Sequence, residues 1–174
     1  MVRDAVVEDA VAMARVWVAA WQAAYAGLMP AAYLAALDAD AARPAFERSL
    51  REGASALVLE QERDIVGFSA YGASRDPGAG PATGEVIAIN LHPSGWRRGM
   101  GRQLLRETQQ RLGERGFSEA TLWVLHANAR ARRFYEAAGW RLDGLEKHDD
   151  TLTGFPLHEV RYRIALDAST NLKR

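Results

Sequence analysis

Apolar residues recur along the chain at two spacings. After Ala10, the residues Met13, Ala14, Trp17, Trp21, Ala24, Tyr25 and Leu28 repeat every three or four positions, the period of a helix buried along one stripe, and Gly27 stops it. The apolar-leaning stretch Val2 to Val7 before it predicts a first strand. Pro30 suits the first turn of a second helix that carries Tyr33, Leu34 and Leu37 on one face; 38–44 predicts a break, and Phe46 and Leu50 mark a short helical piece. Ala56 to Glu60 and Ile65 to Tyr71 are strand-like, and the polar link Gln61-Glu62-Arg63-Asp64 makes them a hairpin. The stretch 75–84, with Asp-Pro-Gly-Ala-Gly-Pro, predicts a mobile loop able to act as a lid, and Glu85 to Leu91 is the next strand. Met100, Leu104, Leu105 and Leu112 return to helical spacing, closed by Gly113 and Gly116. Ala120 to Leu125 is a strand. Asn128 caps a helix with Ala131, Phe134, Tyr135 and Ala138 on its buried face, ended by Gly139. Trp140 to Leu145 and Pro156 to Leu166 are two last strands around the polar loop Lys147 to Gly154. This order predicts one α/β (α+β) domain over residues 1–174.

Composition narrows the chemistry. Hydrophobic residues make up 48% of the 174, enough to bury a sizeable core. Twenty-two basic residues balance 22 acidic ones, so no bulk positive field invites nucleic acid. The 4 histidines are scattered without metal-ligand spacing, and with no cysteine there is neither a thiolate metal site nor a disulfide; no metal is expected. No apolar run approaches the roughly 20 residues that span a membrane, and Met-Val-Arg-Asp opens no signal-peptide core, so the expectation is a cytoplasmic protein.

The stretch with the most chemistry is the turn between Leu91 and the helix that follows. It carries Gly99 and Gly101 with Arg97, Arg98 and Arg102 around them. Unpaired N–H groups and the dipole at a helix start attract phosphate oxygens, and glycines let backbone approach a ligand. An ordinary glycine-rich turn is the rival reading. It is not a Walker A loop, for no Gly-Lys-Ser/Thr follows, and Leu104 stands where a Rossmann fingerprint needs its third glycine. Trp17, Trp21, Tyr25 and Tyr33 belong either to the core or to the wall of an acceptor pocket.

Two motifs together resemble the GNAT superfamily of acyl-CoA-dependent N-acetyltransferases. Trp96-Arg97-Arg98-Gly99-Met100-Gly101 resembles the family turn Gln/Arg-x-x-Gly-x-Gly/Ala, departing from it at Trp96. Asn128, Ala131, Phe134, Tyr135, Glu136 and Gly139, with Trp140, resemble the family's Asn-x-x-Ala-x-x-Phe-Tyr-Glu-x-x-Gly-Phe. Trp21, Tyr25, Gly27, Leu28, Pro30 and Tyr33 look like acceptor-side helices of a bacterial branch. The resemblance implies a mixed, twisted, mainly antiparallel sheet with splayed parallel fourth and fifth strands, flanked by helices. It also implies acetyl-CoA as acyl donor, its pyrophosphate on the backbone of Arg97, Arg98, Gly99, Met100, Gly101 and Arg102. Asn90 and Leu91 amides then face the thioester, Asn128 contacts the cofactor as well as capping its helix, and Trp21, Tyr25 and Tyr33 line the acceptor pocket. Family habit makes a homodimer through the final strands a further expectation.

An amine attacks a thioester only when neutral, and a lysine-like ammonium has a pKa of about 10.4, so a group must accept its proton. Glu85 resembles the glutamate base of some members in its place at the strand start; a solvated strand-end carboxylate is the alternative. Tyr135 resembles the family's tyrosine general acid, which protonates the departing thiolate. With no cysteine to carry an acyl group, direct transfer in a ternary complex to a small-molecule or peptide amine is expected. The rival from another class is a non-catalytic module that binds or senses acyl-CoA.

Overall fold

The computed structural model describes residues 1–166; the last eight positions of the expected 1–174 domain, 167–174, lie outside the described residues. The elements run β1 (Val2–Asp4), α1 (Ala10–Ala24), α2 (Ala31–Ala35), α3 (Ala39–Arg51), β2 (Ser55–Gln61), β3 (Asp64–Ala73), β4 (Thr83–Leu91), α4 (Met100–Glu114), β5 (Glu119–Leu125), α5 (Ala129–Ala137), β6 (Arg141–Asp149) and β7 (Leu157–Ala165). The strands form one seven-stranded sheet in the order β1-β2-β3-β4-β5-β7-β6. β1–β2, β2–β3, β5–β7 and β6–β7 pair antiparallel, whereas β4 and β5 pair in parallel over Thr83–Glu85 against Glu119–Thr121. The expected mixed sheet with a parallel fourth and fifth strand is therefore present.

By internal contacts the chain divides into two compact units, Met1–Gly72 with Val86–Arg111, and Ala73–Glu85 with the described residues from Leu112 on. The first is built around Met13, Val16, Ala56, Val58 and Phe68, with Trp17, Phe46 and Leu50 packed against them. Met13, Val16, Val58 and Phe68 each contribute about 1.5–3 kcal/mol by leaving water. The β2–β3 hairpin turns on Glu62 (φ 53°) and Arg63 (φ 77°), two consecutive left-handed residues as in a type I′ turn, here without the usual Asn-Gly. In the second unit Trp140, Tyr162, Leu122 and Leu112 are fully buried. A Cβ on Gly84 would lie 2.8 Å from Leu112 Cδ2 and 3.2 Å from the Phe117 ring, so only glycine lets β4 pass that close.

Four expectations are corrected. The break over 38–44 is helix: Asp38 Oδ1 accepts the Ala41 N–H at 2.7 Å and caps α3, and Pro44 stands inside it. An interior proline costs about 3 kcal/mol, offset here because α3 lays Phe46 and Leu50 on the core. Strand β1 ends at Asp4, since Asp9 accepts from the Val6 N–H and from Arg3 and draws Val7–Asp9 into a 3-10 turn. Gly113 lies within α4, which closes at Gly116 (φ 89°). Lys147, His148 and Asp149 belong to β6, where they pair with Glu159, His158 and Leu157. Alternation does not reveal how far the strand extends past Leu145 because β6 is exposed or half-exposed at every position.

Candidate active site

At the end of β4 the chain makes a 3-10 turn (Pro93–Gly95) that His92 closes by accepting from the Ser94 N–H at Nδ1. The Trp96 indole N–H donates to the Leu91 carbonyl at 2.8 Å. The residue that departs from the family turn thus ties the turn back onto the strand. Arg97 (φ 61°) and Gly99 (φ 78°) then reverse the backbone into α4. A Cβ on Gly99 would meet nothing within 4 Å, so glycine is needed there for its φ and not for room. A left-handed Arg97 stores about 1–2 kcal/mol of strain. The first carbonyl the helix uses from the turn is that of Gly99, which accepts from Gln103 N–H at 3.0 Å. Ahead of it, the N–H groups of Gly99, Met100, Gly101 and Arg102 have no backbone acceptor among the described residues. These donors open a 15-residue helix, and the exposed side chains of Arg97, Arg98 and Arg102 stand in no ion pair among the described residues. Such an arrangement can hold an anion on backbone, with cations at its rim. Asn90 and Leu91, half-buried, complete the strand that leads into it.

In the same unit an aromatic ladder climbs α1. Tyr25 meets Trp21 edge-on at 5.0 Å, Trp21 meets Trp17 at 5.2 Å, Trp17 meets Phe46 at 6.4 Å, and Phe46 meets Phe68 at 5.5 Å. Its root is core and its outer end, Trp21 and Tyr25, is half-buried. Tyr33 stands on α2, its hydroxyl pushed up by burial.

The second unit holds the expected base. Glu85 is 2% exposed, an unusual burial for a carboxylate. Its Oε2 accepts from the Arg75 backbone N–H at 2.9 Å and from Arg75 Nε at 3.1 Å, and its Oε1 accepts from Arg75 Nη2 at 2.6 Å. Those hydrogen bonds hold the Arg75 guanidinium above its ordinary range. The next residue, Asp76, accepts from the Trp123 indole N–H at 2.9 Å and from Arg161 Nη1 at 2.7 Å. Arg161 reaches on to Asp143 at 2.7 Å, and Asp143 stands where a shift in the β6–β7 register turns it toward β7. Burial pushes Asp143 up, yet hydrogen bonds from Arg161 and the Leu145 N–H prevail and hold it below the usual carboxylate range. Lys147 Nζ sits 4.5 Å from the Trp123 ring centre and 3.4 Å from Glu159, whose carboxyl is pushed up by burial. Arg163 and the Thr83 hydroxyl both bind Glu119.

Asn128 Oδ1 accepts the Ala131 N–H at 3.1 Å, so its capping role is present. Two turns on, Tyr135 is 8% exposed, its ring against Trp140 and Tyr162, each at 6.3 Å. Tyr162 donates to Glu136 at 2.6 Å and accepts from Arg132 Nε at 3.1 Å. The buried Trp140 indole N–H has no hydrogen-bond partner among the described residues.

The model of the acetyltransferase (GNAT) family matches residues 15–140, which contain both motifs. The uncharacterized N-acetyltransferase YuaI of Bacillus subtilis is 33% identical over 138 residues, 78% of this chain and 77% of that protein. The chain belongs to the acetyltransferase (GNAT) family. It is therefore an acyltransferase. Two solved structures share its fold at lower identity. The PaiA N-acetyltransferase of Thermoplasma acidophilum in complex with coenzyme A is 18% identical, covers 95% of this chain and 98% of that one, and has a TM-score of 0.69. YncA of Salmonella typhimurium with acetyl-CoA is 21% identical, covers 96% and 94%, and has a TM-score of 0.68.

Sequence reasoning placed Glu85 in this GNAT chain but missed the group that grips it. Arg75 reads only as the first residue of a loop, and no local pattern singles out Asp76, Trp123, Asp143 or Arg161. The one available signal was Arg-Asp at the mouth of a Pro-Gly loop, ten residues before Glu85. Among the described residues no cluster of three or more His, Cys, Asp or Glu could hold a metal ion, and no helix is long and apolar enough to cross a membrane.

Proposed function

We propose that this GNAT enzyme moves an acetyl group from acetyl-CoA to a primary amine by direct attack in a ternary complex. The observation that carries the reading is the row of N–H groups at the start of α4 that have no backbone acceptor among the described residues, with Arg97, Arg98 and Arg102 beside it. A pyrophosphate matches both features, and neighbours in fold are described with coenzyme A or acetyl-CoA. In this reading the amides of Asn90 and Leu91 stabilise the oxyanion, and Asn128 contacts the donor. Glu85 takes a proton from the ammonium, and the freed nitrogen lone pair forms the N–C bond. The C–S bond then breaks, and Tyr135 protonates the thiolate while the new amide sheds its second proton. The sum is R–NH3+ and acetyl-CoA giving R–NH–acetyl, CoA–SH and one H+. Trp21, Tyr25 and Tyr33 serve the acceptor side.

One observation favours the second reading, an acyl-CoA-binding module: the carboxylate of Glu85 is covered by Arg75. A free-thiol assay with acetyl-CoA against a panel of primary amines, run on the wild type and Tyr135→Phe, separates the two. The enzyme reading predicts thiol release by the wild type and a loss of about 100-fold in kcat for Tyr135→Phe. Acetyl-CoA binding without thiol release from any amine would establish the module.

A further inference from the structure

The cover on Glu85 is asymmetric. One of its three hydrogen bonds comes from the Arg75 backbone N–H to Oε2, and the other two come from the guanidinium. The backbone at that point is pinned, because Asp76 accepts from the Trp123 indole N–H and from Arg161, whose side chain is only 10% exposed. The Arg75 side chain is not pinned. It is 61% exposed, against 2% for its partner, so swinging out returns a cation to water at little desolvation cost. The move leaves Oε2 held by the N–H and Oε1 without a donor among the described residues. It also leaves a buried carboxylate without its cation, which is costly unless another cation arrives. None is at hand. The remaining neighbours that act on Arg75 are the carboxylates Asp76 and Glu159, already taken by Arg161 and Lys147.

We infer that Arg75 determines specificity as a resident cation: its guanidinium occupies the position of the acceptor's ammonium, and only a cationic primary amine displaces it from Glu85. This rests on the proposed acetyl transfer and deepens it by naming the acceptor class, an amine protonated on arrival, over neutral or anionic nucleophiles. Once bound, the ammonium breaks one N–H bond, the proton goes to Oε1 of Glu85, and the electron pair stays on nitrogen for the attack. The burial that made the uncovered carboxylate costly favours the neutral acid that results. Asp76 is a positioning residue, holding the N–H that keeps Oε2 in place.

The test compares wild type, Arg75→Ala, Arg75→Lys and the Arg75→Ala/Glu85→Gln double variant. If Arg75 covers Glu85 about nine-tenths of the time, Arg75→Ala lowers the apparent KM for the most active amine about tenfold, with kcat little changed. Arg75→Lys, which grips by a single nitrogen, falls between. A second arm needs no turnover. n-Butylammonium chloride raises the melting temperature of Arg75→Ala above the value in sodium chloride of equal concentration, and leaves the double variant unmoved. An unchanged or raised KM, or no ammonium-specific stabilisation, overturns the inference. If the wild type releases thiol with no amine, the transfer reading fails while the melting arm still decides whether Glu85 takes an ammonium. If Arg75→Ala does not fold, Arg75→Lys decides alone: a lowered KM supports, an unchanged one overturns.

Discussion

The turn before α4 and the charged face around Glu85 prepare for charge in opposite ways. At the turn the donors are backbone N–H groups from residues adjacent in sequence, oriented by the helix itself, and the arginines beside them are exposed and unpaired among the described residues. At the face the charges are side chains that answer one another. Arg75 is on Glu85, Arg161 on Asp76 and Asp143, Lys147 on Glu159, and Arg163 on Glu119. The first region needs only its ligand. The second must exchange a partner before it can act, so its affinity is set by competition.

Breaking the anchor of the second region has the largest expected effect. Arg161→Ala leaves Asp76 without its cation and Asp143 with only the longer 3.4 Å pair to Arg163, both carboxylates being mostly buried, and removing one partner of such a group costs about 3–5 kcal/mol. Denaturant titration should show that loss. A cost under about 1 kcal/mol would mean the network is as weak as a surface pair.

The same contrast explains what the sequence disclosed. The turn was legible because its parts are contiguous: two glycines, three arginines and the apolar spacing of Met100, Leu104 and Leu105 fall within a few residues. The sheet and most helices were legible from periodicity for the same reason. The face was not, since Arg161 meets Asp76 across 85 positions and only the register that pairs Trp123 with Arg161 brings them together. Helix α3 was obscured by Pro44, whose local preference was overridden by the Asp38 cap and by burial of Phe46. The Arg75 grip on Glu85 needed both loop and strand in place, which no local pattern specifies.

Acid is expected to act more gently and on the face first. Hydrogen bonds from Thr83 and Arg163 hold Glu119 below the usual carboxylate range, and those of Arg161 do so for Asp143 against burial. A carboxylate with a depressed folded pKa binds fewer protons folded than unfolded. Its stabilisation is complete above the unfolded value of about 4 and is lost as pH falls through the folded one. Melting temperature should therefore be flat from neutral pH to about 5 and decline below about 4. A Glu119→Gln variant should show a shallower decline, and an identical curve would remove that pair from the account.

In the proposed mechanism donor holding and proton removal are separate, the first in backbone and the second in Glu85. Glu85→Gln keeps an oxygen for the Arg75 N–H and abolishes the base. Calorimetric titration with acetyl-CoA, paired with the rate of thiol release to a primary amine, tests the separation directly. The prediction is an unchanged Kd for acetyl-CoA with kcat lowered at least about 100-fold at neutral pH, the contribution of a general base. An unchanged rate, or a rate loss matched by lost affinity for acetyl-CoA, would contradict it.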